Sequence, residues 1–358
     1  MQASLQGLNL AKLKLLVSAL EPSSNLHLKE LLKHTQEVEL LGIFDQSLGQ
    51  PLYDVSDMAI MGVVDAIKKL RWFFKVADEM VTLAKDADKI LLMDSSGFNL
   101  PLAKRLKKAY PHKEIIYYIL PQVWASRPKR SKKLETYCDR LLGILPFEVD
   151  YYQSKAQYVG HPLLDEIHLL HQASAQSIAF MPGSRPSEIQ RLLPIFREVR
   201  ARLSQHRALL IIPKSFSDEK ITQLYGDLKE FEVHRETHQA LAQSSFAFIC
   251  SGTATLESAL IGTPFVLSYI AKKIDYFLAT KLLNITHVGL ANIILQHHNQ
   301  STLHQELLQE EVTVENLLRA YQKTDRNRFA QKAQELRTYL DHGSAKNVAD
   351  IVMQKPNQ

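Results

Sequence analysis

Short apolar runs recur along the chain and alternate with longer stretches in which apolar residues return at helical spacing. An uninterrupted apolar run of about four to eight residues predicts a strand that is buried on both faces. Such strands are predicted at 13–20, 38–44, 89–95, 114–120, 141–147 and 156–160, and again at 177–182, 208–213, 231–235, 246–250 and 265–269. Helices are predicted between them, notably at 62–86, 99–109, 129–138, 186–204 and 253–261, and residues 310–358 also have a helical pattern.

This alternation predicts an α/β protein with two Rossmann-like, doubly wound parallel-sheet domains that face a cleft. The segment 160–177 is polar after its first turn and is predicted to be the linker between the two groups of strands. The predicted domains are therefore 1–165 and 166–325. A C-terminal helical segment, 326–358, follows them and can pack back on the N-terminal domain.

The composition excludes several classes of protein. Of the 358 residues, 46% are hydrophobic and two, Cys138 and Cys250, are cysteines. A disordered chain, a fold built on disulfides and a cysteine-rich zinc site are therefore ruled out. No apolar run reaches the roughly 18 residues of a membrane span. The net charge of +5 is mild and leaves nucleic acid, an anionic membrane or a phosphorylated substrate as partners. We expect a cytoplasmic protein that can attach to a membrane.

Two loops of the second domain have the composition of a phosphate site. Gly183, Ser184 and Arg185 follow one strand, and Ser251, Gly252 and Thr253 follow another, each directly before a helix. A helix N-terminus offers free backbone N–H groups and a partial positive charge, to which Arg185 adds a cation. Each loop alone is equally compatible with an ordinary strand–helix turn. Together they favour a diphosphate nucleotide, although the chain has no G-x-G-x-x-G and no Walker A pattern.

Carboxylates also occur where chemistry is expected. Asp94 ends a strand of the first domain and is a candidate general base, or else caps the next helix. Glu257, one turn into a helix of the second domain, can accept hydrogen bonds from a ribose or remain a surface charge. Glu21, Ser23 and His27 follow the first strand, where simple helix capping is the alternative. The histidines show no metal-ligand spacing, so no metal and no cofactor are predicted.

The segment 61–80 combines apolar and aromatic residues with a basic rim. Val63, Ile67, Leu70 and Phe74 recur at helical spacing, and Val64, Trp72 and Phe73 widen this apolar face. Such a helix either packs on the core with solvated lysines or lies in a membrane interface.

Several sequence blocks in one order resemble the lipid-A-disaccharide synthase family. They are IMGVVDAI (60–67), Asp94 with Phe98-Asn99, YYILPQVWASRPKR (117–130), ILPFE (144–148), YVGHPLLDEI (158–167), MPGSRPSEI (181–189), SGTATLE (251–257) and GLANII (289–294). The resemblance runs from about residue 13 to about residue 350 and implies a glycosyltransferase of the GT-B type, in agreement with the two-sheet prediction.

The resemblance also implies a reaction. UDP-2,3-diacylglucosamine donates its sugar, with inversion, to 2,3-diacylglucosamine 1-phosphate, and the products are UDP and a lipid A disaccharide phosphate. It implies no metal, no cofactor and no nucleic acid. It further implies a peripheral protein on the cytoplasmic, anionic face of the inner membrane, and a homodimer is compatible with it. Domain 1–165 would hold the acceptor and dock on the membrane, and domain 166–325 would hold the UDP-sugar.

Roles carry over residue by residue. Asp94 becomes the base, with Glu21 and Ser23 lining the same site. The nucleotide and diphosphate contacts become Gly183, Ser184, Arg185, Ser251, Gly252, Thr253, Glu257 and Asn292. The membrane surface becomes Val64, Ile67, Leu70, Phe73 and Phe74.

This chain departs from the family pattern at three places. The usual G-E-x-S-G-D is Leu20 to Asn25, the usual D-x-P-D-F-N is Asp94 to Asn99 with Gly97 at the second acid, and the usual W-A-W ends in Ser126. Two other interpretations therefore stay open. One is another UDP-sugar enzyme of the same fold, such as a UDP-N-acetylglucosamine 2-epimerase or a soluble glycosyltransferase, and the other is a non-catalytic lipid-binding relic.

Overall fold

The chain divides into two compact units, Met1–Asp165 with His342–Gln358, and Glu166–Asp341. The structure, a computed structural model, describes residues 12–56, 66–172, 176–271 and 287–354, without the side chains of 66–70.

The first unit is built on a parallel six-stranded sheet in the order β2-β1-β3-β4-β5-β6. Its strands are β1 (Leu13–Ala19), β2 (Val38–Ile43), β3 (Lys89–Met93), β4 (Glu114–Tyr118), β5 (Arg140–Gly143) and β6 (Ala156–Tyr158). Its helices are α1 (Pro22–Leu32), α2 (Ala66–Leu83), α3 (Ser96–Ala109), α4 (Lys129–Tyr137) and the short α5 (Leu163–Glu166), whose last residue begins the second unit.

Both faces of this sheet are buried, which explains the unbroken apolar strands. Leu16, Ile90 and Leu92 belong to one apolar cluster, whereas Val17 and Leu91, which alternate with them, belong to another. Successive side chains of a strand point to opposite faces, so a sheet covered by helices on both sides needs apolar residues at every position.

The second unit also has a parallel six-stranded sheet, in the order β12-β11-β10-β7-β8-β9. Its strands are β7 (Ser177–Met181), β8 (Ala208–Ile211), β9 (Glu232–His234), β10 (Ser244–Cys250), β11 (Phe265–Tyr269) and β12 (Gln305–Leu308). Its helices are α6 (Pro186–Arg202), α7 (Asp218–Tyr225), α8 (Thr237–Ala242), α9 (Thr253–Ile261), α10 (Leu290–Asn299), α11 (Val314–Lys323) and α12 (Arg326–Leu340). Strand β12 is absent from the sequence prediction because it is an edge strand with two polar residues, and of its four residues only Leu307 is buried.

The predicted helical segment 326–358 is divided between the units. Helix α12 belongs to the second unit, and a last helix, α13 (Ala345–Met353), belongs to the first. Asp165 accepts hydrogen bonds from the N–H groups of Ser344 (2.8 Å) and Ala345 (2.9 Å) at the start of α13. At its other end, the buried Lys89 donates to the carbonyl of Ile351 over 3.4 Å.

The strand order places a topological switch point in each sheet. In the first sheet the direction in which successive strands are added reverses between β1 and β3, and in the second sheet it reverses between β7 and β10. Ligands of open α/β sheets bind outside the carboxyl ends of the strands at such points. The loops that begin at Glu21 and Asp94, and those at 182–185 and 251–252, are therefore the places where binding groups are expected.

Candidate active site

Asp94 lies in a turn that other residues hold in a strained conformation. Asp94 and Ser95 have φ values of 48° and 36°, in the left-handed region that residues with a side chain rarely adopt. The carbonyl of Asp94 accepts hydrogen bonds from the Tyr117 hydroxyl (2.5 Å) and from Asn99 Nδ2 (3.0 Å). Asn99 is held in turn by Ser18, whose hydroxyl donates to its Oδ1 over 2.6 Å. Strain that neighbouring groups maintain in this way is typical of a functional site.

The surroundings of Asp94 raise the pKa of its carboxyl group. Burial is the main cause, and the negative charge of Glu21 adds to it, while the Ser95 N–H and His27 act in the opposite direction. Glu21 is fixed beside this turn because Ser95 Oγ donates to its Oε1 over 2.9 Å. A carboxylate with a raised pKa holds a proton more strongly, which suits a general base.

A cavity of about 700 Å³ opens beside Asp94. Glu21, Asp94, Ser95, Ser96 and Gly97 supply its polar wall. The rest is mostly apolar and consists of Leu20, Phe73, Phe74, Ala77, Phe98 and Pro101, together with Arg105. The structure thus brings the predicted residues Glu21 and Asp94 together. Ser23 lies exposed in the first turn of α1 and is not part of this wall.

The aromatic residues of α2 contribute to the same cavity. Phe73 is half-buried between Trp72 and Phe98, with ring centroids 5.4 and 5.5 Å away. Phe74 is 49% exposed, and the Arg105 guanidinium lies 5.1 Å from its ring centre. Of the other predicted membrane residues, Val64 and the side chains of Ile67 and Leu70 lie outside the described residues.

In the second unit, the two predicted phosphate loops line one cavity of about 380 Å³. Its wall includes Gly183, Ser184, Arg185, Ser251, Gly252, Thr253 and Glu257. The two loops meet because β7 and β10 are neighbours in the sheet. The side chain of Arg185 is 74% exposed, so it is accessible to a ligand.

The prediction of free N–H groups before α6 is wrong for Ser184 and Arg185. Both donate to Oε2 of the buried Glu188, over 3.2 and 3.1 Å, and the Arg185 guanidinium donates to Oε1 over 2.9 Å. Glu188 is thus an organising residue that the sequence analysis missed. Its signal was the glutamate three residues after the N-cap, the spacing of a capping box.

Helix α9 presents the more open N-terminus. Its N-cap is Gly252, with φ 151°, and no side chain caps the helix there. A Cβ atom added to Gly252 would meet nothing within 4 Å, so a ligand can approach this backbone closely. Unpaired helical N–H groups in this setting suit an anion.

Glu257 lines the same cavity. Burial, with a smaller contribution from Glu166, raises the pKa of the Glu257 carboxyl to about 7. Nε2 of His238 is 3.8 Å from its Oε2. With a pKa of about 7, the Glu257 carboxyl group can take up or lose its proton near neutral pH, so it can either donate or accept a hydrogen bond.

Asn292 does not line either cavity, and its side-chain amide already forms hydrogen bonds within the protein. It is 1% exposed, and its amide donates to the His304 carbonyl (3.0 Å) and to Glu306 Oε1 (2.8 Å). Its oxygen accepts from the N–H groups of Leu303 and His304. A nucleotide contact by Asn292 would require these bonds to break, so we leave Asn292 out of the candidate site.

Comparison with known proteins identifies the family. The model of the Lipid-A-disaccharide synthetase family matches residues 15–355. The lipid-A-disaccharide synthase of Helicobacter pylori is 50% identical over 350 residues, which cover 94% of this chain and 97% of that protein. The synthase of Campylobacter jejuni is 45% identical over 361 residues, covering 94% and 98%. The chain belongs to the lipid-A-disaccharide synthase family.

Membership of the lipid-A-disaccharide synthase family makes the chain a glycosyltransferase enzyme of lipid A biosynthesis. The fold alone would not decide this. The glycosyltransferase SnogD of Streptomyces nogalater matches with a TM-score of 0.58 and 16% identity, over 95% of this chain and 98% of that one. A putative UDP-N-acetylglucosamine 2-epimerase of Listeria monocytogenes matches nearly as well, with a TM-score of 0.55 and 13% identity over 96% and 95%. These matches establish the GT-B fold, and the sequence relatives select among its activities.

One departure from the pattern of the lipid-A-disaccharide synthase family, Asn25, has a clear structural role here. Asn25, in place of the usual Asp, donates to the carbonyls of Ala19 and Glu21, both over 2.9 Å, and accepts from the Asp45 N–H over 2.7 Å. Ser24, in place of a glycine, is buried. Gly97, in place of the second acid, lines the Asp94 cavity and faces open space.

Two kinds of feature are absent from the described residues. No helix there combines the length and the apolar character needed to cross a membrane. No group of three or more His, Cys, Asp or Glu side chains there has the arrangement of a metal site.

Proposed function

We propose that the chain is an inverting glycosyltransferase that joins UDP-2,3-diacylglucosamine to 2,3-diacylglucosamine 1-phosphate, giving lipid A disaccharide 1-phosphate and UDP. The observation that carries this proposal is the strained, half-buried Asp94 at the edge of a largely apolar cavity of about 700 Å³. A carboxylate in a cavity that has both a polar wall and an apolar wall fits a sugar that carries acyl chains. Membership of the family supports the same reaction.

In this proposal Asp94 is the general base. It accepts the proton of the acceptor 6-hydroxyl while that oxygen forms a bond to the anomeric carbon of the donor. The bond from that carbon to the UDP oxygen breaks at the same time, so the configuration inverts. The pKa of Asp94, raised by burial and by Glu21, makes it a better proton acceptor than an exposed aspartate.

The donor nucleotide binds in the cavity of the second unit. The N-terminus of α9 and the exposed guanidinium of Arg185 stabilise the negative charge that builds up on the diphosphate as the sugar leaves. Glu257 accepts hydrogen bonds from the ribose hydroxyls. The closeness of these groups around one cavity of about 380 Å³ supports this assignment.

The proposal also includes a membrane. Both substrates carry acyl chains, so the enzyme must reach lipids on the cytoplasmic face of the inner membrane. The exposed Phe74, with Arg71 and Lys75 exposed on either side of it, offers an apolar group among cations for an anionic surface.

The direct test is turnover. The purified protein is incubated with both substrates, and the disaccharide is detected by mass spectrometry and UDP by a coupled assay. Asp94→Asn is expected to lower kcat by about 10² to 10⁴ with UDP affinity within a few-fold of the parent's, because a general base is lost and the nucleotide site is intact. Arg185→Ala is expected to weaken UDP binding at least about tenfold. Absence of product with the parent protein would overturn the proposed function.

A further inference from the structure

Arg130 lies next to the Asp94 site although it does not line the cavity. It is in the first turn of α4, and its Nη1 donates to Ser96 Oγ over 2.8 Å. Ser96 is the first residue of α3 and lines the cavity beside Asp94 and Ser95. The guanidinium of Arg130 is therefore hydrogen-bonded to a residue of the cavity's polar wall.

Arg130 is hydrogen-bonded to a neutral hydroxyl, whereas neighbouring cationic side chains are paired with carboxylates. Arg105 pairs with Asp78, Lys107 with Asp139 over 2.7 Å, and Arg140 with Glu114 over 2.7 Å. Arg130 is half-buried like them, but its partner is the neutral hydroxyl of Ser96, and among the described residues it forms no ion pair. A partly buried guanidinium without a counter-ion is stabilised by an anionic ligand, and its planar donors match the oxygens of a phosphate.

Two further groups at this position favour an anion. The hydroxyl of Ser96 accepts from Arg130 with its oxygen, so its own proton can be donated to a ligand. Helix α3 begins here, and no side chain caps it, so the positive end of its dipole faces the same place.

We propose that Arg130, with Ser96, binds the phosphate group of the acceptor. This inference rests on the proposed function, which supplies an acceptor with a 1-phosphate and a 6-hydroxyl. Ser96 is two residues from Asp94, so their Cα atoms are at most ~7 Å apart. The two side chains extend from neighbouring positions of one turn, and the Ser96 hydroxyl is bonded to Arg130. One sugar can therefore present its hydroxyl to Asp94 and its phosphate to Ser96 and Arg130. Arg130 is in this sense a substrate-binding residue that sets specificity for a phosphorylated acceptor.

The test compares two acceptors and three proteins. The acceptors are the 1-phosphate of diacylglucosamine and the same sugar without its phosphate, and the KM for each is measured with the parent, Arg130→Gln and Arg130→Lys. Arg130→Gln is expected to raise the KM for the phosphorylated acceptor at least about tenfold. It should leave the KM for the unphosphorylated acceptor and for the UDP-sugar unchanged. Arg130→Lys should recover part of the loss, since it keeps the charge without the planar donors.

The matched control is Lys133→Gln, which removes the same charge from an exposed position of the same helix. If Lys133→Gln raises the acceptor KM as much as Arg130→Gln does, the effect is that of general charge and the inference is wrong. It is equally wrong if Arg130→Gln affects both acceptors alike. UDP affinity and thermal unfolding of each variant show whether it is folded, and the lysine variant provides the test if the glutamine variant is not.

Failure of the proposed function is a separate outcome. Binding of both acceptors is also measured by isothermal titration calorimetry, without a donor. A parent protein that makes no disaccharide but prefers the phosphorylated acceptor through Arg130 would refute the reaction and keep the phosphate site. A parent that makes disaccharide with no contribution from Arg130 would do the reverse.

Discussion

Glu188 lies so close to Gly183 that a Cβ atom on Gly183 would stand 2.6 Å from its Oε2. Gly183 also has a φ of 110°, which side chains rarely tolerate. The glycine lets the backbone of the loop pass over the buried carboxylate, which then holds the N–H groups of the next two residues. The shape of this loop, which we propose binds the nucleotide, therefore depends on one close approach between backbone and side chain.

Gly183→Ala is expected to lower both stability and UDP affinity. The strained φ alone costs about 1–3 kcal/mol, and the clash with Glu188 must also be relieved by moving the loop. Urea unfolding and titration calorimetry with UDP measure the two effects. Gly226→Ala is the control, because Gly226 has φ 66° but open space around its Cβ position. It should lose stability and keep its UDP affinity, and equal UDP affinities in both variants would contradict the role of the loop.

A second glycine and glutamate, Gly143 and Glu148, have the same arrangement of a close backbone approach and a carboxylate that accepts backbone N–H groups. Both sites have the spacing G-x-x-P-x-E, and in both the glutamate accepts the N–H groups of the two residues after the glycine. A Cβ on Gly143 would lie 2.9 Å from Glu148 Oε1. Glu148 is buried, and burial raises its pKa to about 8. The repeat supplies a matched pair for mutagenesis.

We expect Glu148→Ala to destabilise the protein by about 1–3 kcal/mol, because it leaves the N–H groups of Ile144 and of the buried Leu145 without their acceptor. Glu188→Ala should destabilise the protein less, because Ser184 and Arg185 are exposed and their N–H groups can bind water instead. Only Glu188→Ala should weaken UDP binding, by about tenfold, since Glu148 lies in the other unit. Parallel urea unfolding and UDP titration of both variants test this. Unchanged UDP affinity in Glu188→Ala, or an equal loss in both, would show that the glutamate does not organise the nucleotide site.

The sequence predicted the strands well and the partners of the site residues poorly. Strands such as β3 carry their own signal because every residue is buried. Edge strand β12 lacks that signal. Similarly, Asp94 could be predicted because it ends a strand. The hydrogen bonds of its turn with Tyr117 and Asn99, and the position of Arg130 beside it, could not be predicted, because they depend on distances that only the folded chain sets. Asn292 shows the opposite case, a polar residue in a motif whose bonds are all internal.

Glu21→Gln is expected to move the acid limb of the pH profile of kcat/KM to lower pH. The pKa of Asp94 is raised first by burial and then by the charge of Glu21. Removing that charge lowers the pKa of Asp94, so the base stays ionised in more acidic solution. Glu30→Gln is the control. Glu30 lies in helix α1, which follows Glu21, and is paired with Lys33, so this change should leave the profile unchanged. If the acid limb of Glu21→Gln does not move, or moves to higher pH, the prediction is wrong. Either the charge of Glu21 does not raise the pKa of Asp94, or Asp94 is not the base.

The two phenylalanines of α2 have different environments, although the sequence pattern predicted the same role for both. Phe73 contacts Trp72 and Phe98 and is half-buried. Phe74 is 49% exposed and lies beside Arg105. A membrane contact is therefore to be sought at Phe74, and a contribution to the fold at Phe73.

Phe74→Ser is expected to leave thermal stability nearly unchanged and to weaken sedimentation with anionic vesicles about three- to tenfold. Withdrawing a fully inserted large apolar side chain from a membrane costs roughly 1.5–3 kcal/mol. Because only about half of the Phe74 side chain is exposed and free to insert, we expect about half of this cost. Phe73→Ser should instead lower the melting temperature, because it opens the contact with Phe98. Leu170→Ser, which changes an exposed apolar residue of the second unit, should bind vesicles like the parent. Added salt should weaken the binding that remains in Phe74→Ser, since that part is electrostatic. Vesicle binding by Phe74→Ser equal to that of the parent would remove this residue from the membrane contact.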